Sequence, residues 1–178
     1  MLRRRSRIGL VVLALAVACA GGISPRAPRG GHDPGALAAA YAETGRLDEA
    51  VREIEIALGI HPNDADLRRQ AAALYRRRGA LADASAQLEA ALRLDGGHAP
   101  TWMALGEVES QRGQPDSAYI AFRRATQLAP HDARAFAALA TAADRAGLPE
   151  DAEHARDRWR ALDPASAPAA PRLRRAWP

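Results

Sequence analysis

Four glycines mark a strict internal period in this 178-residue chain. Gly45, Gly79, Gly113 and Gly147 follow one another at intervals of 34 residues. The same interval separates two sets of alanines: Ala50, Ala84, Ala118 and Ala152, then Ala57, Ala91 and Ala125. Pro62, Pro130 and Pro164 also fall in register, with Gly96 in the slot between the first two. A period of this length without insertions indicates stacked supersecondary units, each of which buries its apolar face only against its neighbours.

The residues inside each period indicate a helical hairpin. Alanine and leucine recur at helical spacing, and aromatic residues make up only 4% of the chain, which disfavours strands. Each glycine is suited to end a first helix, and an acidic residue three or four positions later is suited to begin a second. The pattern predicts eight helices, over about 34–44, 48–60, 65–78, 82–94, 99–112, 116–128, 133–146 and 150–162.

The third period carries a specific family signature. Its residues are Trp102, Leu105, Gly106, Gly113, Ala118, Phe122, Ala125 and Pro130. This set resembles the tetratricopeptide repeat (TPR), with Glu109 in place of the usual tyrosine that Tyr41 and Tyr75 supply in the first two periods. The resemblance covers 31–164, in repeats at 31–64, 65–98, 99–132 and 133–166. It implies an all-α solenoid of four helix-turn-helix repeats in a right-handed superhelix, which binds a protein or peptide and is not an enzyme.

The resemblance also implies where a ligand binds, because first helices line the groove in this family. By register, the candidate groove residues are Asp66, Arg69, Arg76, Met103, Glu107, Arg134, Thr141 and Asp144. Two interpretations of the three arginines stay open: they hold an acidic peptide, or they are solvated helix charges. Gly35 and Ala39 stand where chaperone-binding TPR domains carry their carboxylate clamp, so that clamp is absent.

The N-terminus has the pattern of an export signal. Arginines crowd the first seven residues, and residues 8–18 form an apolar run of eleven, shorter than the roughly 20 residues needed to span a bilayer. We therefore expect residues 1–18 to be a signal peptide. The glycine- and proline-rich stretch 19–32 is predicted to be a flexible tether.

Cys19 is the only cysteine. The segment Ala16-Val17-Ala18-Cys19 resembles a bacterial lipobox, although Ala16 stands where leucine is usual. The same segment fits ordinary signal cleavage. The sequence thus predicts a lipid-anchored protein of the cell envelope, with a soluble secreted or periplasmic protein and a retained anchor as alternatives.

The charge distribution disfavours nucleic acid as a partner. The chain has a formal net charge of +4, but four of its arginines lie in the first seven residues. Residues 31–164 carry 16 arginines against 21 acidic residues, a net charge of −5. A nucleic-acid-binding domain requires clustered positive charge on its surface.

No motif for catalysis, a metal or a cofactor stands out. His61, His98 and His131 fall in successive inter-repeat turns, too far apart to share one ion. The sequence predicts no enzyme activity, no metal and no cofactor.

The C-terminal end of the array offers an alternative function. Trp159 occupies a slot that holds alanine in the other repeats, so it either packs against its own helix or forms an oligomer contact. The proline- and arginine-rich tail 165–178 is predicted to be disordered. The leading hypothesis is an envelope adaptor that recruits a partner protein, and the alternative is a homo-oligomer assembled through Trp159.

Overall fold

The computed structural model describes residues 33–168, which form an all-helical array of four consecutive hairpins. The predicted signal peptide, the tether with Cys19 and tail residues 169–178 lie outside the described residues. The helices are α1 (Pro34–Glu43), α2 (Leu47–Ile60), α3 (Ala65–Arg78), α4 (Leu81–Leu94), α5 (Ala99–Gln111), α6 (Pro115–Leu128), α7 (Ala133–Arg145) and α8 (Pro149–Leu162). The predicted α-solenoid is confirmed, and each predicted helix end lies within one residue of the observed one.

The periodic glycines form the tight turns within the hairpins. Gly45, Gly79, Gly113 and Gly147 have φ angles of 77°, 84°, 72° and 73°, a conformation that a Cβ atom penalises. They are the described residues with positive φ. Each lets the chain reverse within two or three residues, so the two helices of a repeat pack side by side.

Three of the four first helices begin with a side-chain cap, and α5 does not. Asp33, Asp64 and Asp132 precede α1, α3 and α7, and each side chain accepts a hydrogen bond from a backbone N–H of the first turn. The second helices lack such a cap and instead carry acidic residues in the first turn, for example Asp83 and Asp116, where the helix dipole favours negative charge.

Small residues allow the helices of a hairpin to approach closely. In the third repeat the Cα of Gly106 faces the ring of Phe122, and a Cβ atom there would lie only 2.5 Å from the ring. In the first two repeats, alanine takes the place of Gly106 and an aliphatic residue smaller than phenylalanine takes the place of Phe122. These pairs are Ala38 with Ile54 and Ala72 with Leu88, and all four residues are buried. Packing within the hairpin is therefore matched in size repeat by repeat.

Each helix packs mainly against the helices next to it in sequence. The buried side chains form three successive clusters along the array, with Ile54, Leu88 and Phe122 among their large members. In the described part of the chain, no helix combines the length and hydropathy that crossing a membrane requires.

Candidate protein-binding groove

Two adjoining crevices lie between the first helices of the last three repeats. The one between α3 and α5 encloses about 120 Å³, and the one between α5 and α7 about 400 Å³. They share Arg76, Pro100 and Ala104, so they form one continuous depression, which we call the first-helix groove.

The floor of the groove is mostly apolar. Ala73 and Ala104 lie between α3 and α5, with Leu88 and Val108 beneath, and Ala138 extends the small-residue surface towards α7. A floor built of short side chains leaves room for the side chains of a ligand. This surface can hold aliphatic groups through burial of apolar area.

Ion pairs line the groove. Arg69 pairs with Asp66 one turn earlier, Arg76 of α3 pairs with Glu107 of α5, and Arg134 lies 3.4 Å from Asp132. Each arginine predicted for the groove thus has a carboxylate partner within the chain. The pairing makes the rim of the groove close to neutral.

Arg69 nevertheless retains an unused donor. Its Nη1 atom is buried, lies 3.9 Å from Asp95 Oδ2 and makes no hydrogen bond within residues 33–168. Arg69 lines the apolar crevice between α3 and α5. Because Nη1 itself is buried, a ligand in the crevice can accept from it only if the Arg69 side chain moves.

Asp132 combines a capping role with the charge balance of the groove. Burial raises the pKa of its carboxyl, but hydrogen bonds from the Arg134 side chain and backbone outweigh burial and lower the pKa below its ordinary value. Asp132 is therefore ionised at neutral pH. It caps α7 and neutralises Arg134 at the same time.

The structure brings together five of the eight residues that were predicted for the groove. Arg69, Arg76, Met103, Glu107 and Arg134 line the two crevices. The other three do not line them. Asp66 contributes through its ion pair with Arg69, the Thr141 hydroxyl donates to the Ala137 carbonyl at 3.0 Å, and Asp144 accepts from Arg156.

Sequence reasoning missed Pro100, Ala104, Asp132 and Ala138 as lining residues. Ala104 and Ala138 are separated by the repeat interval of 34. The recurrence of a small residue at this repeat position could therefore have predicted that both line the groove. Asp132 was not predicted to line the groove, because its position before α7 already accounts for an aspartate as a helix cap.

Trp159, the candidate oligomer contact, is half-buried at the end of the described array. Its indole N–H donates to Ser166 Oγ at 3.0 Å, and Arg160 Nε donates to the Pro168 carbonyl at 3.1 Å. The segment after α8 thus folds back along it. The contact with Ser166 fits the self-packing interpretation of Trp159, and its role in an oligomer stays a prediction.

The histidines within residues 33–168 do not converge. His98 contacts the Thr101 hydroxyl at 2.7 Å, while His61 and His131 are exposed in their turns. Within residues 33–168, no three side chains of the metal-ligating types come together.

Comparisons with known proteins identify the repeat and the fold. Residues 99–142 match the tetratricopeptide repeat family, and the match begins at the predicted start of the third repeat. No curated protein sequence matches the chain.

Solved structures share the architecture. The crystal structure of MamA superposes with a TM-score of 0.68 at 23% identity, over 72% of this chain and 75% of that one. The crystal structure of YrrB, described as a TPR protein with an unusual peptide-binding site, gives 0.66 at 21% identity, over 74% and 68%. At this level of identity the likeness concerns the fold, which is that of a TPR α-solenoid.

Proposed function

We propose that this protein is a lipid-anchored adaptor of the bacterial cell envelope, whose first-helix groove holds a segment of a partner protein. The observation that carries the proposal is the groove itself, an apolar floor bounded by self-paired charges along three consecutive repeats. The match to TPR repeats and the fold shared with a peptide-binding TPR protein support a binding role.

The charge pattern of the groove favours a particular type of ligand. An acidic peptide would have to displace Asp66, Glu107 and Asp132 from their arginines, which offsets much of the electrostatic gain. A segment with small aliphatic side chains gains from apolar burial without that cost.

Membrane attachment in this proposal rests on Cys19. The lipobox-like segment would place a lipid on the cysteine, and residues 19–32 would separate the repeats from the bilayer surface. The partner would then be recruited at the membrane face.

Photocrosslinking in intact cells tests the adaptor role. We would place a photoreactive amino acid at Met103 in the groove and, as a matched control, at the exposed His154 of α8. We expect one discrete partner to be captured from Met103 and not from His154. Ala104→Glu should abolish the capture, whereas Ala161→Glu, at an exposed helical position outside the groove, should leave it intact.

A second arm tests the anchor. Cys19→Ser should prevent incorporation of radiolabelled palmitate and move the protein from the membrane fraction to the soluble fraction. Unchanged fractionation would refute lipidation while leaving the groove proposal intact. A self-crosslinked ladder from Met103 without another partner would refute the adaptor and support the homo-oligomer.

A further inference from the structure

A separate crevice lies between α4, α5 and α6, outside the first-helix groove, and shares no lining residue with it. It encloses about 260 Å³. Its lining includes Glu89, Trp102, Glu109, Arg112 and Ile120. The proposed adaptor function assigns this crevice no role.

The second repeat shows how the crevice arises. Tyr75 and Glu55 precede Glu109 and Glu89 by the repeat interval of 34. In the second repeat, the Tyr75 hydroxyl donates to Glu55 Oε1 at 2.7 Å. In the third repeat, Glu109 replaces the aromatic ring, and Glu89 has no hydrogen bond or ion pair within residues 33–168. The crevice therefore lacks a side chain that the neighbouring repeat supplies for itself.

Glu109 places a carboxylate in the wall of this crevice. Only 4% of the residue is exposed. Its Oε1 atom accepts from the Ser85 hydroxyl and from Arg112 Nη1, the latter at 2.7 Å, whereas Oε2 accepts no hydrogen bond within the described residues. Although the residue is largely buried, its Oε2 atom remains accessible, so it can accept a hydrogen bond from a donor that enters the crevice.

The charge of the lining specifies the donor further. Two carboxylates, Glu89 and Glu109, face one guanidinium, Arg112, so the lining has a net charge of −1. Trp102 adds an aromatic surface, and Ile120 is 63% exposed. A neutral phenol ring would leave the second negative charge uncompensated, whereas a planar cation would neutralise it.

We propose that this crevice binds an arginine side chain of a basic segment on a partner protein. The guanidinium donates to Glu109 Oε2 and to Glu89 and lies against the Trp102 indole. An apolar residue beside that arginine contacts Ile120. The crevice is thus a second docking point, independent of the groove.

The test uses the full chain labelled with ¹⁵N and follows the Trp102 indole N–H, which donates to the Gly96 carbonyl at 2.9 Å. Three probes are titrated: acetyl-Leu-Arg-Leu-amide and the same peptide with citrulline or tyrosine in place of arginine. Citrulline keeps the shape of arginine without its charge. We expect the arginine peptide to shift the Trp102 signal and to bind at least ten-fold more tightly than the other two.

Protein variants locate the binding. Glu109→Gln and Glu89→Gln should each weaken the arginine peptide about ten-fold, because each removes one carboxylate. Glu150→Gln, at an exposed acid on α8, should leave binding unchanged. Glu109→Tyr restores the residue type of Tyr41 and Tyr75, fills the crevice and should abolish binding while the protein keeps or raises its melting temperature.

Two results would overturn the proposal. One is equal or tighter binding of the citrulline or tyrosine peptide, which would show that the charge does not select the ligand. The other is an undiminished Trp102 shift in a folded Glu109→Tyr protein, which would place the binding elsewhere. Neither result bears on photocrosslinking at Met103, so the groove is tested separately.

Discussion

The second and third repeats (65–98 and 99–132) occupy the same register but fill it with different side chains. Where the second has Ala72 against Leu88, the third has Gly106 against Phe122, and both pairs are buried. Where the second has Tyr75 bonded to Glu55, the third has Glu109 and an open crevice. The comparison teaches that the change of size was compensated inside the hairpin. The change from tyrosine to glutamate was compensated only in part, since Ser85 and Arg112 bond the Glu109 carboxylate but the space of the ring stays open as a crevice.

The largest effect is expected at Gly106. Alanine normally favours a helix over glycine by about 1 kcal/mol. Gly106→Ala should nevertheless lower the free energy of unfolding by about 2 kcal/mol, since the added Cβ would overlap the Phe122 ring. Chemical denaturation measures the loss.

Phe122→Leu provides the matched control for that steric effect. The double variant Gly106→Ala, Phe122→Leu reproduces the Ala72 and Leu88 pair of the second repeat and should recover most of what Gly106→Ala loses. An equal loss from Gly106→Ala in both backgrounds would contradict size matching within the hairpin.

The turn glycines should behave alike in the two repeats. A Cβ at Gly79 or Gly113 would meet no atom within 4 Å, so only the positive φ opposes it. Gly79→Ala and Gly113→Ala should each destabilise by about 1 kcal/mol. Denaturation midpoints that differ clearly between the two variants would show that the repeats differ in their turns as well as in their packing.

Tyr75 should make stability fall at alkaline pH. Burial and the hydrogen bond to Glu55 raise the pKa of its hydroxyl from 10.0 to about 12. Below pH 10 the hydroxyl is protonated in both states, and its contribution is complete. Between pH 10 and 12 the unfolded chain ionises first, so the folded state loses that stability as pH rises.

Tyr75→Phe should flatten this alkaline decline in melting temperature and cost about 0.5–1 kcal/mol at neutral pH. The chain contains no lysine, so tyrosines are the side chains that titrate in this window. Tyr119→Phe serves as the comparison for the alkaline decline in melting temperature, since burial and the hydrogen bond to Asp151 raise the pKa of the Tyr119 hydroxyl as well. Melting curves of Tyr75→Phe that decline as steeply as those of the parent would rule out Tyr75 as the source.

The smallest effect is expected at the ion pair between Arg76 and Glu107, which joins the second and third repeats along the groove. Both side chains are partly exposed, at 38% and 49%. A double-mutant cycle with Arg76→Gln and Glu107→Gln should give a coupling energy below about 1 kcal/mol. A larger coupling would mean that this pair fixes the geometry between the repeats.

The turns and the helix ends were predictable from the sequence, whereas the side-chain contacts between repeats were not. Glycine after a first helix predicts a left-handed turn because few other residues adopt one, and the 34-residue interval then places the helix ends. Arg69, Arg76 and Arg134 were predicted to lie along the groove by register alone.

The partners of those groups were not predictable from the sequence. Arg76 reaches Glu107 over 31 positions, and Ser85 reaches Glu109 over 24, so each contact depends on side-chain rotamers and on how the hairpins stack. The substitution of tyrosine by Glu109 was visible in the sequence, but the crevice it leaves became apparent only from its neighbours in α4 and α6.

The packing of each helix mainly against its sequence neighbours has a kinetic consequence. Contacts that are close along the chain give a low contact order, and little loop-closure entropy is lost when they form. We expect folding on the microsecond-to-millisecond scale, nucleated in the middle hairpins, with the first and last hairpins opening independently in hydrogen exchange. In a scaffold of this kind the first or last hairpin can unfold transiently while the crevice between α3 and α5 stays folded and available to a partner.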